Sequence, residues 1–291
     1  MSARGQFVST MTALLDEDPR CALVLADISL DRFAPAVAAH GGRVVNVGIR
    51  EQAMIGVTAG LCLAGMRAVA HSYATFLVER PFEQIKLDLS HQAFEAVLVS
   101  IAGSYDASEE GRTHQSPGDV ALLDTLPAWT VHVPGHPGEV DGLLRSAVSS
   151  SGNVYIRLSD SSNSGPARSG ASIVREGSDG APLVIAVGPL LDPVIEATSD
   201  LDVTVCHLTT IRPFPDDLVA LVGATDIVLV EPYLAGTSAS QVARALVDRP
   251  HRLSCLGVSN PELHRFGSPD DHARAHGLDA AGIRRSLASY L

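Results

Sequence analysis

Aromatic residues make up only 4% of this 291-residue chain, and charged residues only 19%. The scarce charge is also one-sided. A net charge of −12 repels phosphate backbones and anionic headgroups, which excludes a nucleic-acid binder or a binder of acidic membranes. No apolar run approaches the roughly 18 residues a membrane span needs. The N-terminus lacks the apolar core of a signal segment, so the expected location is the cytoplasm. Cys21, Cys62, Cys206 and Cys255 stand singly, mostly within apolar runs. Without a CxxC pair, a zinc site is disfavoured, and reduced thiols packed as small hydrophobes are expected.

Apolar residues are plentiful, at 46%, and the length gives room for two domains with buried cores. So little charge on so long a chain suggests that some apolar surface is covered by other subunits. Residues 21–27, 43–48, 66–72, 95–102, 129–134 and 153–159 read as buried strands, short and β-branched between Gly, Pro or Asp. Helical patterns lie between them at 51–64, 74–92, 118–126 and 137–150. The Ser/Gly/Pro-rich stretch "SDSSNSGPARSGAS" then interrupts the pattern. Alternation resumes with strands at 182–188, 203–208, 226–231 and 251–257, and helices at 190–199, near 215–223, at 236–247 and at 279–290. The fold class this predicts is α/β: two three-layer domains, each a mostly parallel sheet covered on both faces.

Three polar constellations fall where strands end. Glu51 of "NVGIREQAM" opens an apolar helix directly after a strand. An acid there is stabilised by the helix dipole by ~0.3–1 kcal/mol, which is one sufficient reason for it. The carboxyl ends of parallel strands are also where ligands bind, which makes it a candidate for acid–base chemistry. His114 lies in "GSYDASEEGRTHQSPGD", long for a connection of its kind. It is either a solvated loop histidine or a second polar element at the same sheet edge. Phe76 and Phe82 follow the strand ending at His71 and Tyr73, and fit either core packing or a stacking platform for a flat heterocycle.

The segments "NVGIREQAM", "HSYATFLVERPFEQIKLDLS" and "EEGRTHQSPGDVALLDTLPAWTVHVPGHPGEV", in that order, resemble the transketolase-like thiamine-diphosphate enzymes. That group includes transketolase and 1-deoxyxylulose-5-phosphate synthase. "VCHLTTIRPFPDDLV" and "DIVLVEPYLAGTSASQVARAL" extend the resemblance over nearly the whole chain. It implies a pyrimidine-binding domain at 1–162, a linker at 163–176 and a transketolase C-terminal-like domain at 177–291. Glu51 matches the glutamate that shares a proton with N1′ of the cofactor's aminopyrimidine, so that the 4′-imino group can deprotonate the thiazolium C2. Phe76 matches the pyrimidine-pocket phenylalanine, with Ile49 and Phe82 as further cofactor contacts. His114 matches a histidine that hydrogen-bonds substrate oxygens and moves protons, and His71 falls at a pocket position.

The resemblance is incomplete in an informative way. The Gly-Asp-Gly…Asn stretch that holds diphosphate and Mg2+ in this family does not occur here. No metal ligand is expected from this chain, and a separate N-terminal subunit is expected to supply that site, in an α2β2 assembly. Self-association through the pyrimidine and C-terminal domains is expected as well. Asp160 stands where transketolase has a phosphate-binding arginine, Ala102 replaces a phosphate-binding histidine, and Glu110 replaces an aspartate that contacts hydroxyls. Glu79 stands where a pocket phenylalanine is usual. An anion at a phosphate site disfavours a dianionic ligand, so the substrate is expected to differ from a standard sugar phosphate or to bind through Arg112. The leading expectation is a two-carbon ketol or acyl transferase subunit. Two alternatives remain: the β subunit of a 2-oxo acid dehydrogenase or deoxyxylulose-phosphate-synthase-like enzyme, and a non-catalytic scaffold.

Overall fold

The computed structural model describes residues 1–216 and 223–291. The helix expected near 215–223 lies, but for its ends, outside the described residues. The first half runs α1 (Ala3–Glu17), β1 (Cys21–Leu25), α2 (Ala34–His40), β2 (Val44–Asn46), α3 (Glu51–Leu63) and β3 (Arg67–Tyr73). A helical segment over 75–91 follows, containing α4 (Phe82–Gln84), and then β4 (Val97–Ile101). After a long loop come α5 (Asp119–Leu123), β5 (Trp129–His132), α6 (Pro137–Ser149) and β6 (Asn153–Arg157). The second half runs β7 (Ala171–Arg175), β8 (Leu183–Val187), α7 (Leu191–Ala197), β9 (Thr204–Leu208), β10 (Thr210–Arg212) and β11 (Asp226–Leu234). It ends with α8 (Ala239–Ala245), β12 (Arg252–Val258), α9 (Pro269–His276) and α10 (Ala280–Tyr290).

The strands β1, β4, β8 and β9 are buried along their whole length. Continuous apolar runs of this kind are what a parallel strand covered on both faces requires. Seven strands form one sheet in the order β10-β5-β6-β4-β3-β1-β2, and five form another in the order β12-β11-β8-β9-β7. All pairs are parallel except β10 with β5 and β7 with β9. The chain leaves β1 for β2 on one side and returns to β3 on the other, so the first sheet has its switch point between β1 and β3. A single apolar cluster runs from Val24, Met54 and Leu77 through Val131 and Ile211 to Ile185 and Leu229, joining the two sheets.

The structure departs from the expected elements in several places. β7 lies inside the segment read as linker, and β10, from the second half, completes the first sheet at its β5 edge. The helices α1, α2 and α9 are additions to the predicted pattern. The helix expected at 74–92 is interrupted: Thr75–Glu79 and Ile85–His91 are π-helical, on either side of α4. Pro81 has no N–H to donate, and the Arg80 N–H just before it reaches back five residues to the Thr75 carbonyl (3.1 Å). Such widened turns are rare and concentrate at functional sites.

Candidate functional site

The loop "NVGIR" delivers Glu51 to the edge of the first sheet by a fixed path. Asn46, at the end of β2, clamps the end of β1, accepting from the Asp27 N–H (2.9 Å) and donating to its carboxylate (2.8 Å). Gly48 then turns the chain with φ +70, a value that costs glycine nothing. Helix α3 starts immediately, with no side-chain cap on its N-terminus, and Glu51 in its first turn. The Glu51 side chain is only 3% exposed. Arg80 donates from Nη1 to its Oε2 at 2.9 Å. Its other oxygen accepts no hydrogen bond from a described residue.

Three rings adjoin this pair. Phe76 packs against Tyr73 (5.9 Å between centroids) and edge-on to His114 (5.0 Å), and His114 also meets Tyr73 (5.8 Å). The Arg80 guanidinium carbon lies 4.0 Å from the Phe76 ring centroid. Glu51, Arg80, Phe76, Tyr73 and His114 thus form one continuous patch beside the β1/β3 switch point.

His114 comes from the loop over 103–119, which is held from both sides. Ser104 and Ser116 bridge its base. Within it, two 3-10 turns, Ser108–Glu110 and Arg112–His114, meet at Gly111, whose φ is +73. A Cβ there would lie 2.7 Å from the Phe266 ring, so glycine is demanded twice over. From below, the buried Arg157 donates to Asp119 (2.7 Å) and Ser104 (2.7 Å). From the second half, Gly267 accepts from Ser108 Oγ (2.7 Å), and Glu262 pairs with Arg112 (3.0 Å).

The other expected residues are placed as follows. His71 is fully buried inside β3, stacked on Phe7 at 4.5 Å. Its Nδ1 donates to the Val99 carbonyl (2.7 Å), so Nε2 accepts from Ser29 Oγ (2.8 Å). Burial lowers its pKa to about 3. A neutral core histidine with both nitrogens engaged is not open to a substrate, which corrects its expected pocket position. Ile49, expected at the cofactor, is 72% exposed on the turn before α3. Phe82 is half-buried and makes no ring contact with a described residue. Glu110 is exposed on the His114 loop. Arg112 is paired with Glu262 rather than free, and donates from Nη1 to the Gln115 carbonyl (2.9 Å). Asp160 is exposed, and its backbone N–H binds the carboxylate of Asp106 (2.9 Å). Burial first, and then the Asp160 charge, raise Asp106 to about 7.

Sequence reasoning left out Arg80, which completes the Glu51 site. Its one signal is a cation four residues after Phe76 in the apolar run "TFLVERPF". Glu79, noted as a departure, accepts from Ser116 Oγ (2.8 Å), and burial raises its pKa. Among the described residues, no group of three or more His, Cys, Asp or Glu side chains is arranged to hold a metal ion. No described helix is long and apolar enough to cross a membrane.

Residues 1–164 match the family of the transketolase pyrimidine binding domain. The chain belongs to the transketolase family. A split-gene transketolase, solved as an inactive β4 tetramer, shares the fold over 100% of this chain and 98% of its own, with TM-score 0.84 at 23% identity. A 33.6 kDa protein of the fasciation locus of Rhodococcoides fascians, itself uncharacterized, is 50% identical over 98% of this chain and 93% of its own. One subunit of the apulose-4-phosphate transketolase of Actinobacillus succinogenes is 27% identical over 96% of this chain and 93% of its own. The 1-deoxy-D-xylulose-5-phosphate synthase 2 of Geobacter sulfurreducens is 30% identical over 97% of this chain, which spans only 48% of it. This transketolase-family chain therefore corresponds to the C-terminal type of split-transketolase subunit, with pyrimidine-binding and C-terminal regions.

Proposed function

We propose that this chain is the C-terminal subunit of a split, thiamine-diphosphate-dependent transketolase-like enzyme that moves a two-carbon ketol unit to an aldehyde-type acceptor. The observation that carries the reading is the Glu51 carboxylate, buried at the sheet edge with one oxygen unbonded, beside the Tyr73–Phe76–His114 rings. A flat, nitrogen-rich ring fits such a place: the aromatic faces take its π-surface and the carboxyl takes its ring nitrogen. Bound there, thiamine diphosphate supplies a carbon acid that adds to carbonyl carbons. Glu51 holds a proton at the ring nitrogen. Burial keeps water from competing for that proton. Phe76 orients the ring, and His114 hydrogen-bonds substrate oxygens and passes protons to them.

The diphosphate and Mg2+ ligands are assigned to a separate partner chain, as the full-length likeness to one subunit of a two-name transketolase supports, with α2β2 as the simplest assembly. Glu51→Gln in the reconstituted two-chain complex tests the catalytic role. Turnover should fall by about 10²–10⁴ while the complex still assembles, and an unchanged rate would mark a scaffold instead. The similarity to a deoxyxylulose-phosphate synthase favours a second reading, with a 2-oxo acid as the two-carbon donor. Comparing ketose and 2-oxo acid donors separates the two. Efficient turnover of xylulose 5-phosphate would refute the inference drawn from Asp160.

A further inference from the structure

Arg80 occupies the space beside Glu51 in a manner a planar heterocycle would. Its guanidinium is flat and cationic, lies 4.0 Å above the Phe76 ring centroid, and donates to the Glu51 carboxylate at 2.9 Å. Those are the two contacts, a stack on Phe76 and a hydrogen bond to Glu51, that the proposed reading asks of an aminopyrimidine. Both cannot be held by two groups at once on the same ring face and the same oxygen.

Local structure explains why the arginine is there. The π-helical turn over Thr75–Glu79 closes with the Arg80 N–H on the Thr75 carbonyl. The wider turn changes the angle at which the following residue leaves the helix, and Pro81 then ends the run. Gln52, beside Glu51 on α3, donates to the Arg80 carbonyl (3.3 Å) and fixes the backbone. The side chain is the movable part: it is 38% exposed, against 3% for Glu51, and hydrogen-bonds no other described residue. An ion pair with one end in water is weak enough to exchange, whereas the same carboxylate left bare would be a buried polar group without a partner.

We propose that Arg80 is a built-in stand-in for the pyrimidine: it satisfies Glu51 and covers Phe76 in the chain by itself, and must swing out into solvent for the cofactor ring to enter. Cofactor loading is then a competition within the site, resting on the pyrimidine-site reading above. Arg80 is a positioning residue and a gate, not a group that touches the reacting atoms.

The experiment measures binding of thiamine, which carries the pyrimidine without the diphosphate, to the full chain by calorimetry. Wild type is compared with Arg80→Met, which keeps the aliphatic stem and drops the charge, with Arg80→Lys and with Glu51→Gln; thermal melts check that each variant is folded. Arg80→Met should bind thiamine about tenfold tighter than wild type, a change of ~1.4 kcal/mol. Arg80→Lys, which keeps the charge without the flat fork, should lie between them, and Glu51→Gln should bind more weakly than Arg80→Met. Equal affinities for wild type and Arg80→Met, with loss in Glu51→Gln, would overturn the stand-in while leaving the pyrimidine site in place. Binding that ignores Glu51→Gln, or no binding by wild type and Arg80→Met alike, would overturn the site reading and the stand-in with it.

Discussion

Replacing Arg157 by Met should cost the protein several kcal/mol and loosen the loop that carries His114. Arg157 and Asp119 are 1% and 0% exposed and lie 2.7 Å apart. The same Asp119 oxygen accepts from the Tyr155 hydroxyl at 2.7 Å, and its second oxygen is buried without a partner. Removing the guanidinium leaves a charge in the core answered by one phenol, and breaking a buried pair in this way costs roughly 3–5 kcal/mol. Unfolding entropy of ~2.1 cal/mol/K per residue gives about 0.6 kcal/mol/K for the chain, so Tm should fall by ~5–8 °C. The assay is thermal unfolding followed by circular dichroism, on Arg157→Met and on the double variant Arg157→Met/Asp119→Leu. An apolar pair of similar volume is often neutral relative to an ion pair, so the double variant should recover most of the loss. An Arg157→Met protein melting within about 2 °C of wild type would refute the reasoning, as would losses that simply add in the double variant.

Other consequences can be measured in the same way. Asp106 is raised to about 7 by burial and the Asp160 charge. A carboxyl with a raised folded-state pKa stabilises the fold where it is protonated, so its contribution drains away as pH climbs from about 4 to 7, at ~1.4 kcal/mol per pH unit at most. Asp106→Asn should remove that slope and be more stable than wild type at pH 8; a steeper slope in the variant would contradict the assignment. His71, lowered to about 3 by burial, works in the opposite sense: its neutral form supports the fold above about pH 6.5, and that support is lost as pH falls from 6.5 towards 3. His71→Phe should show less acid destabilisation, cost ~1–3 kcal/mol at neutral pH through the unpaired Val99 carbonyl, and leave the complex's KM unchanged. Glu262→Ala should free Arg112 and lower KM for phosphorylated acceptors several-fold in the reconstituted complex. A KM that does not move would show that Arg112 takes no part in anion binding.

The parts of the fold legible in the sequence were those that bury the most. Strands such as "CALVL" and "VLVSI" are apolar on both faces because parallel neighbours and helices enclose them, and no polar position blurs the pattern. β7 and β10 were illegible for the converse reason: each is an antiparallel edge strand of three to five residues, needing little more than backbone pairing. Glu51 was legible as a site because a carboxylate between a strand and an apolar helix conflicts with its surroundings. His71 misled because its position near a strand's end resembles that of a pocket residue, while Ser29 and Val99, which engage both nitrogens, lie far away in sequence. Arg80 was hidden by the π-turn, since ordinary helical spacing does not describe where its side chain is delivered.

The three residues of β10 give the molecule an economy that a division of the chain into two halves does not reveal. Thr210 and Arg212 pair with His132 and Val131, and Arg212 also ties Asp124 to Ser238. The family match ends at residue 164, but the sheet it describes is finished by a visitor from beyond that limit. A chimera that exchanged the first half alone would separate β5 from the strand that covers it, exposing a bare, adhesive edge. The exchangeable module is thus a non-contiguous one, and a graft that respects it would carry Thr210–Arg212 along with the half it completes.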